Sequence, residues 1–490
     1  MNGLQAIRSF PRRNRAFTVA LLLAVAIRVI TMAAFRPAIW FGGDSASYVA
    51  VALRLQPDVG RVSGYGIMLF ALRPLHSVIA VVAVQHVMGL LIGLAIYLLL
   101  HQRFGLPGWG ATLAALPVLF DAYQLELEHE VLADVAFQFL IVGALVAAMW
   151  WRRERPAWAD VTAGVLLSLA AVVRPIGLPL LALYICYLLF RRARWRVLGV
   201  TVVASALPLV VYLAWFNANF HSVNFTRSEG VFLWSRTMSF ANCAVIKPPA
   251  DERALCPPDN GRRLAASSYI WLPLSPLADI PGPRFSARKN SLAMDFALRA
   301  IAAQPADYAG AVLHDFMLSF YWNRPQHPSS FTADKYQFAF AERAWVTPNL
   351  RTAGGGTLRG DRNAYTLSGS SPTRAYEPYA GFMRGYQRFV YLRGTLLGII
   401  MLIGLAAIVR SLRRGGVTRL DRWGGPALLP WLTAFGLLLV PVVTADFDLR
   451  YVVPSVPVAC LAAALAFAKD AQAADTADGL PSAAVLSSTS

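Results

Sequence analysis

Lysine is almost absent from this chain. Only Lys247, Lys289, Lys335 and Lys469 occur in 490 residues, and charged residues make up 15% of the total, against about 25% in an ordinary soluble domain. Hydrophobic residues make up 57%, and apolar runs of about 18 to 22 residues recur, each long enough to cross a hydrocarbon core of about 30 Å. Acid is scarce as well: 27 Asp and Glu stand against 45 Lys and Arg, a net charge of +18. Such an excess often marks nucleic-acid binding, but here many arginines gather at the ends of apolar runs, where they set topology. The expected partner is a lipid bilayer and not a nucleic acid. Of the four cysteines, Cys186 and Cys460 fall in apolar runs and read as small buried hydrophobes. Cys243 and Cys256 share a polar segment. No CxxC or Cys/His spacing is present, which argues against a structural zinc site. No internal repeat of the inverted-transporter kind is evident. The first apolar run follows "RSFPRRNR", is too long for a signal peptide and has no small-residue cleavage site, so it reads as an uncleaved anchor.

Apolar runs fall near 16–36, 76–100, 108–126, 131–151, 158–173, 176–190, 197–216, 390–410, 426–444 and 451–468. These predict an all-α polytopic membrane protein with about ten transmembrane helices. The short loops "RRNR", "HQRFG", "WRRERP", "RRARWR" and "RSLRRGGVTRLDR" are arginine-rich and share one side if every run crosses, which makes that side cytoplasmic. The expected organisation is an N-terminal membrane module over 1–216, an extracytoplasmic loop subdomain over 217–388, a C-terminal membrane module over 389–468 and a disordered cytoplasmic tail over 469–490. Within the loop, "PADYAGAVLHDFMLSFYW" has the pattern of an amphipathic helix that lies on the bilayer interface. The multi-pass protein belongs in the plasma (inner) membrane, with its site facing outside. In that oxidising setting, Cys243 and Cys256 can pair as a disulfide.

The chemistry-bearing residues gather at the outer rim. In "GGDSASY", Gly42 and Gly43 let the chain leave the first span sharply, and Asp44 and Tyr48 fall on one helical face. A carboxylate there can take a proton from an acceptor hydroxyl or hold a cation while the tyrosine orients it or packs on a sugar; it can equally cap the helix. In "LEHEVLAD", Glu126, Glu128, His129 and Glu130 crowd one mouth, and Asp134 lies inside the fourth run, where an ionisable group is costly and faces a cavity. A solvated loop with a capping aspartate is the alternative. Arg174 precedes Pro175 at an outer turn, and Arg450 opens the last run. Each either snorkels to headgroups or clamps a lipid phosphate with its fork of donors. Asp446 and Asp448 form an Asp-x-Asp too short to define a metal site.

The landmarks "GGDSASY", "SGYGIMLFALRPL", "LEHEVLADVAFQFL", "LAAVVRPIGLPLL" and "RYVVPSVPV" occur in an order that resembles the GT-C superfamily. These are polyprenyl-phosphate-dependent glycosyltransferases, including protein O-mannosyltransferases, aminoarabinose transferases and actinobacterial arabinofuranosyltransferases. The resemblance covers residues 1 to about 216 and 390 to 468. It implies an inverting hexosyl or pentosyl transfer on the outer face, from a polyprenyl-phosphate-linked sugar to a cell-envelope glycan, lipid or protein. It also implies Asp44 as catalytic base, Asp134 and Glu128 as the second acidic group, and Arg450 as a phosphate ligand. Tyr48, Tyr65, His129 and Arg174 complete the expected substrate contacts. The chain departs from the pattern at Ser45, where many relatives carry a second acid, and at Val62-Ser63-Gly64-Tyr65-Gly66, where a Pro-Pro-Gly-Tyr-Pro-like turn is usual. No cofactor is implied with certainty, and dependence on a divalent cation is left open. A lipid-linked sugar transporter or flippase and a non-catalytic envelope-assembly protein are the alternative functions. The flippase would need ionisable groups near mid-membrane.

Overall fold

The computed structural model describes residues 14–151, 155–258, 263–327, 329–343, 346–366, 372–414 and 425–468. The expected tail from Lys469 and the arginine-rich motifs at 12–13, 152–154 and 415–424 lie outside the described residues.

The protein is all-α and multi-pass. Among the described residues, five helices are long and apolar enough to cross a bilayer: Arg15–Ala34, Val78–Arg103, Trp195–Phe220, Gly394–Arg413 and Leu449–Phe467. The first exposes Val19, Leu22, Leu23 and Val29, and the third exposes Val200, Val203, Leu207, Val210 and Val211. Such stripes are an aggregation hazard in water and are well solvated by lipid tails. The last helix is the reverse. It is 89% buried over its apolar window, enclosed by Gly394–Arg414, Leu428–Thr444 and Gly108–Phe120.

The other expected spans are shorter helices of 13 to 17 residues, Gly108–Phe120, Asp134–Met149, Ala157–Val173, Gly177–Phe190 and Leu428–Thr444. Local sequence sets several of their ends. The run expected over 108–126 stops at Phe120, three residues after Pro117. Asp121 then leaves helical geometry and its side chain accepts from the Tyr123 N–H at 2.9 Å, which starts a second helix, Ala122–His129. The run expected over 131–151 becomes helical only at Asp134, because the Val131 N–H is committed to the carbonyl of Ile39 at 3.0 Å. Asp134 therefore opens its helix and does not lie inside a span. Arg174-Pro175 separates the next two helices, since a residue before proline is pushed out of helical geometry.

The segment 217–388 is not one subdomain. Up to Ala303 it has a core of its own, with Val231, Trp234, Tyr269, Phe296 and Ala297 packed between helices Glu229–Thr237 and Ala287–Ala303. From Pro305 onward, among the described residues, Leu318, Tyr336, Val346, Leu358 and Tyr365 join the core of the membrane helices instead. Polar ties fix this second part. Asp361 takes both arms of Arg54 at 3.1 and 2.5 Å, the Tyr365 hydroxyl donates to the Leu69 carbonyl at 2.8 Å, and Arg374–Ala375 pairs antiparallel with Phe35–Arg36. The helix Pro305–Leu318 keeps Leu313 and Met317 exposed but buries Asp315.

Cys243 and Cys256 are joined as a disulfide against the first of these cores, with Cα atoms 6.1 Å apart. They are 13 residues apart in sequence, and closing a loop of that size stabilises by about 3 kcal/mol in the chain-entropy model. Cys256→Ser should lower the stability of residues 229–303 by about that amount in denaturant unfolding. Mass spectrometry without reduction should find one linked peptide pair. Alkylation of Cys243 and Cys256 without prior reduction, beside the free Cys186 and Cys460, would contradict the pairing.

Candidate active site

Three backbone and hydroxyl contacts bring the first connecting loop against the junction before Asp134. The Ile39 N–H donates to the His129 carbonyl at 3.1 Å, and the Val131 N–H returns to Ile39 at 3.0 Å. The Ser45 hydroxyl accepts from the Phe41 N–H at 2.8 Å and donates to the Val131 carbonyl at 2.9 Å. Ser45 is thus a fully buried clasp. Gly42 has φ +44°, a left-handed conformation that glycine adopts without the steric cost other residues meet. The turn it makes starts the helix Gly42–Arg54 with Asp44 in the first turn.

Asp44 does not cap that helix. The cap residue is Phe41, which makes no side-chain cap hydrogen bond. The Asp44 carboxylate pairs with Arg61 through Oδ1 and with Arg450 Nη1 through Oδ2, the latter at 2.8 Å. Arg450 Nε lies 3.6 Å from Asp134 Oδ1, and Asp134 Oδ1 also pairs with Arg174. The result is an alternating row, Arg61–Asp44–Arg450–Asp134–Arg174, drawn from five separate stretches of sequence. Within the row three guanidinium groups face two carboxylates, and Asp58 and Asp448 add negative charge beside Arg61 and Arg450. Two members are incompletely bonded: Arg450 Nε and Asp134 Oδ2 are buried without a hydrogen-bond partner. Arg450 also lies over the Phe41 ring, 5.2 Å from its centroid. Its side chain is only 10% exposed, which excludes snorkelling to headgroups.

Burial alone would raise the pKa of Asp44, but Arg61 and Arg450 outweigh it and hold the carboxyl at about 2. Both Asp44 oxygens already face guanidinium nitrogens, so this donor set does not fit a metal cation. Asp448 fixes Arg450 in turn. Its side chain caps the short helix at the Arg450 N–H and accepts from the Tyr336 hydroxyl at 2.8 Å. Burial pushes Asp448 up to about 6 against the opposing pull of Arg450.

Of the residues expected from the sequence, Asp44, Asp134, Arg174 and Arg450 come together, and Tyr48 stands one helical turn beyond Asp44. Tyr65 does not join them as a contact surface. Its ring packs edge-on against Tyr48 at 4.9 Å and its hydroxyl donates to Gln85, whose amide holds the carbonyls of Glu128 and Glu130 at 2.9 and 2.7 Å. Tyr65 is a fully buried support.

Glu128 and His129 are corrections. Glu128 is not the second acidic group: its oxygens take Arg28 twice at 2.8 Å and His86 Nδ1 at 2.8 Å, deep between the first and second long helices. His129 bridges His86, at 3.1 Å, to the Phe35 carbonyl, at 2.5 Å. The helical period explains the split. Glu126 and Glu130, four residues apart, both meet Arg343 at 2.7 Å, while Glu128, two residues from each, points to the other side. Sequence reading missed Arg61, Arg343 and Tyr336. Arg61 sits two residues before the "SGYG" landmark, and a search for the counter-charge to a buried Asp44 would have reached it.

No family model matches the sequence, and no curated protein matches it. Solved structures do. A protein O-mannosyltransferase complex from S. cerevisiae, Pmt1-Pmt2, aligns at 14% identity over 46% of this chain and 36% of its own, with a TM-score of 0.33. An oligosaccharyltransferase from Archaeoglobus fulgidus aligns at 13% identity over 93% of this chain and 50% of its own, at 0.42. ArnT from Cupriavidus metallidurans aligns at 14% identity over 94% and 78%, at 0.35. These neighbours are GT-C glycosyltransferases. The chain spans half or less of the length of the first two. Every one of these TM-scores is below 0.5, so the likeness concerns coarse helix arrangement and says nothing of individual residues.

Proposed function

We propose that this protein is a membrane glycosyltransferase that moves a sugar from a polyprenyl-phosphate donor to an extracytoplasmic acceptor, a glycan, lipid or protein, by inverting displacement at Asp44. The observation that carries the reading is the row in which three guanidinium groups alternate with two carboxylates, with Arg450 Nε and Asp134 Oδ2 left without a hydrogen-bond partner. A phosphodiester brings one negative charge. On cleavage it becomes a phosphate monoester that gathers more, and guanidinium forks suit that developing charge.

The chemistry has two parts. The acceptor oxygen forms a bond to the anomeric carbon as the bond from that carbon to the phosphate oxygen breaks, and the acceptor proton passes to Asp44. A carboxylate held at about 2 is a weak base at neutral pH. Donor binding removes that handicap: the phosphate competes for Arg450 and Arg61, and Asp44, relieved of them, regains basicity. The base is unmasked only when a leaving group is in place, which protects the site from idle proton transfer. Purified protein incubated with labelled polyprenyl-phosphate sugar and envelope acceptors tests the proposal. Labelled acceptor is the expected product. Intact donor after full incubation would favour a transporter or an assembly partner.

Orientation follows from the arginine-rich loops, which put both termini in the cytoplasm and residues 217 to 388 outside. Cysteines introduced at exposed positions such as Leu274 and Phe340, which are 94% and 78% exposed, should react with an impermeant maleimide in intact cells. Reaction only after permeabilisation would invert the topology and remove the donor argument with it.

A further inference from the structure

A second cluster lies outside the row just described. Asp315 closes the helix Pro305–Leu318, His327 follows in the next loop, and Asp446 sits in the turn after Leu428–Thr444. One ligand atom from each lies within 4.8 Å of the others. His327 Nε2 is 3.7 Å from Asp315 Oδ1 and 3.6 Å from Asp446 Oδ1. These distances are too long for hydrogen bonds. They lie close to the separation of about 3.3 Å between two ligands of a tetrahedral ion bound at about 2.0–2.1 Å.

We propose that Asp315, His327 and Asp446 bind one divalent transition-metal ion, with zinc the best match. Two carboxylates and one imidazole are a borderline donor set that suits zinc and disfavours magnesium and calcium, which select oxygen. Three protein ligands also leave a fourth tetrahedral position for water or His314. A second observation points the same way. Asp446 Oδ2 is buried and has no hydrogen-bond partner, a costly arrangement that a cation would relieve.

The surroundings are built like an outer coordination shell. Arg236 Nη1 holds the other oxygen of Asp315 at 2.9 Å, which leaves Oδ1 turned toward His327. His314 Nδ1 stands 2.9 Å from that same Oδ1, and the His327 ring packs edge-on against Phe447 with centroids 6.0 Å apart. Arg236 offsets one carboxylate, and one negative charge remains for the ion. The side chains of Asp315 and Asp446 are 6% and 13% exposed, and that of His327 is 28% exposed, so an ion can enter from the His327 side.

The site has a structural role. Asp446 is two residues from Asp448, which caps the Arg450 helix, so the ion would tie the loop after Pro305–Leu318 to the segment that delivers Arg450. This metal is distinct from any cation at Asp44, and no step of sugar transfer passes through it. Its existence does not depend on the proposed activity. Sequence spacing gave no hint of it, because the three ligands come from segments up to 131 residues apart.

The test uses full-length protein carrying a tag without histidine, stripped with chelator and titrated with zinc or cobalt. The expected results are one ion per chain by elemental analysis, tetrahedral visible bands for cobalt, and a higher melting temperature with zinc. His327→Ala and Asp446→Asn should each weaken binding by more than about 100-fold. If His327→Ala does not fold, Asp446→Asn carries the comparison. Absence of bound ion and of any zinc-dependent shift would overturn the proposal. Wild-type affinity in a folded variant would overturn it equally.

Discussion

On the proposed function, Asp44→Asn should lower sugar transfer by about 10²–10⁴-fold, the usual worth of a general base. The amide cannot take the acceptor proton, and Asp134, the other carboxylate of the row, stands on the far side of Arg450 with its Oδ1 toward Arg174. The substitution also has a stability cost. Asp44 is enclosed between two guanidinium groups, its side chain 13% exposed, and removing one member of a buried ion pair destabilises by about 3–5 kcal/mol. Transfer is therefore measured per folded molecule, by normalising to the monodisperse peak. Retention of more than about a tenth of the activity would remove Asp44 from the base role.

Arg450→Lys should raise the KM for the donor lipid or lower kcat by about 10-fold or more, and Arg450→Ala should do so more strongly, by about 100-fold. Lysine keeps the charge but offers a point donor. It cannot reach Asp44 with one arm while another lies toward Asp134, as the guanidinium does at 2.8 and 3.6 Å. Its loss of the planar fork matters most when phosphate replaces Asp44 as the partner. Donor titrations of the variants at matched protein levels give the answer, and equal kinetics for lysine and arginine would strike Arg450 from the site.

Much of this row was legible in the sequence for a thermodynamic reason. Asp134, Arg174 and Arg450 each interrupt or border an apolar run, where an unpaired charge is expensive, so each demands a partner. What the sequence does not encode is which partner. Glu126, Glu128 and Glu130 read as one acidic mouth, yet helical phase sends Glu128 to Arg28 and the other two to Arg343. Arg61 and Arg343 lie in polar stretches where a charge is cheap and draws no notice. The same limit applies to the fold. Apolar runs located the helices, but Asp121, the Ile39–Val131 hydrogen bond and Arg174-Pro175 shortened or split them, and only the first of these has a clear local signature. The second half of the 217–388 segment merges with the membrane core through residues such as Tyr336 and Tyr365, contacts between stretches hundreds of residues apart.

On the proposed function, the Asp44–Arg450 row cleaves a lipid-phosphate sugar and does not merely carry it. Sealed proteoliposomes containing the protein, a donor labelled in both sugar and lipid, and an acceptor in the compartment facing residues 217 to 388 test this in one count. Each labelled sugar gained by the acceptor should be matched by one polyprenyl phosphate released, and Asp44→Asn should abolish both together. Donor that crosses the bilayer with its sugar still attached, at the same rate in wild type and Asp44→Asn, would contradict it.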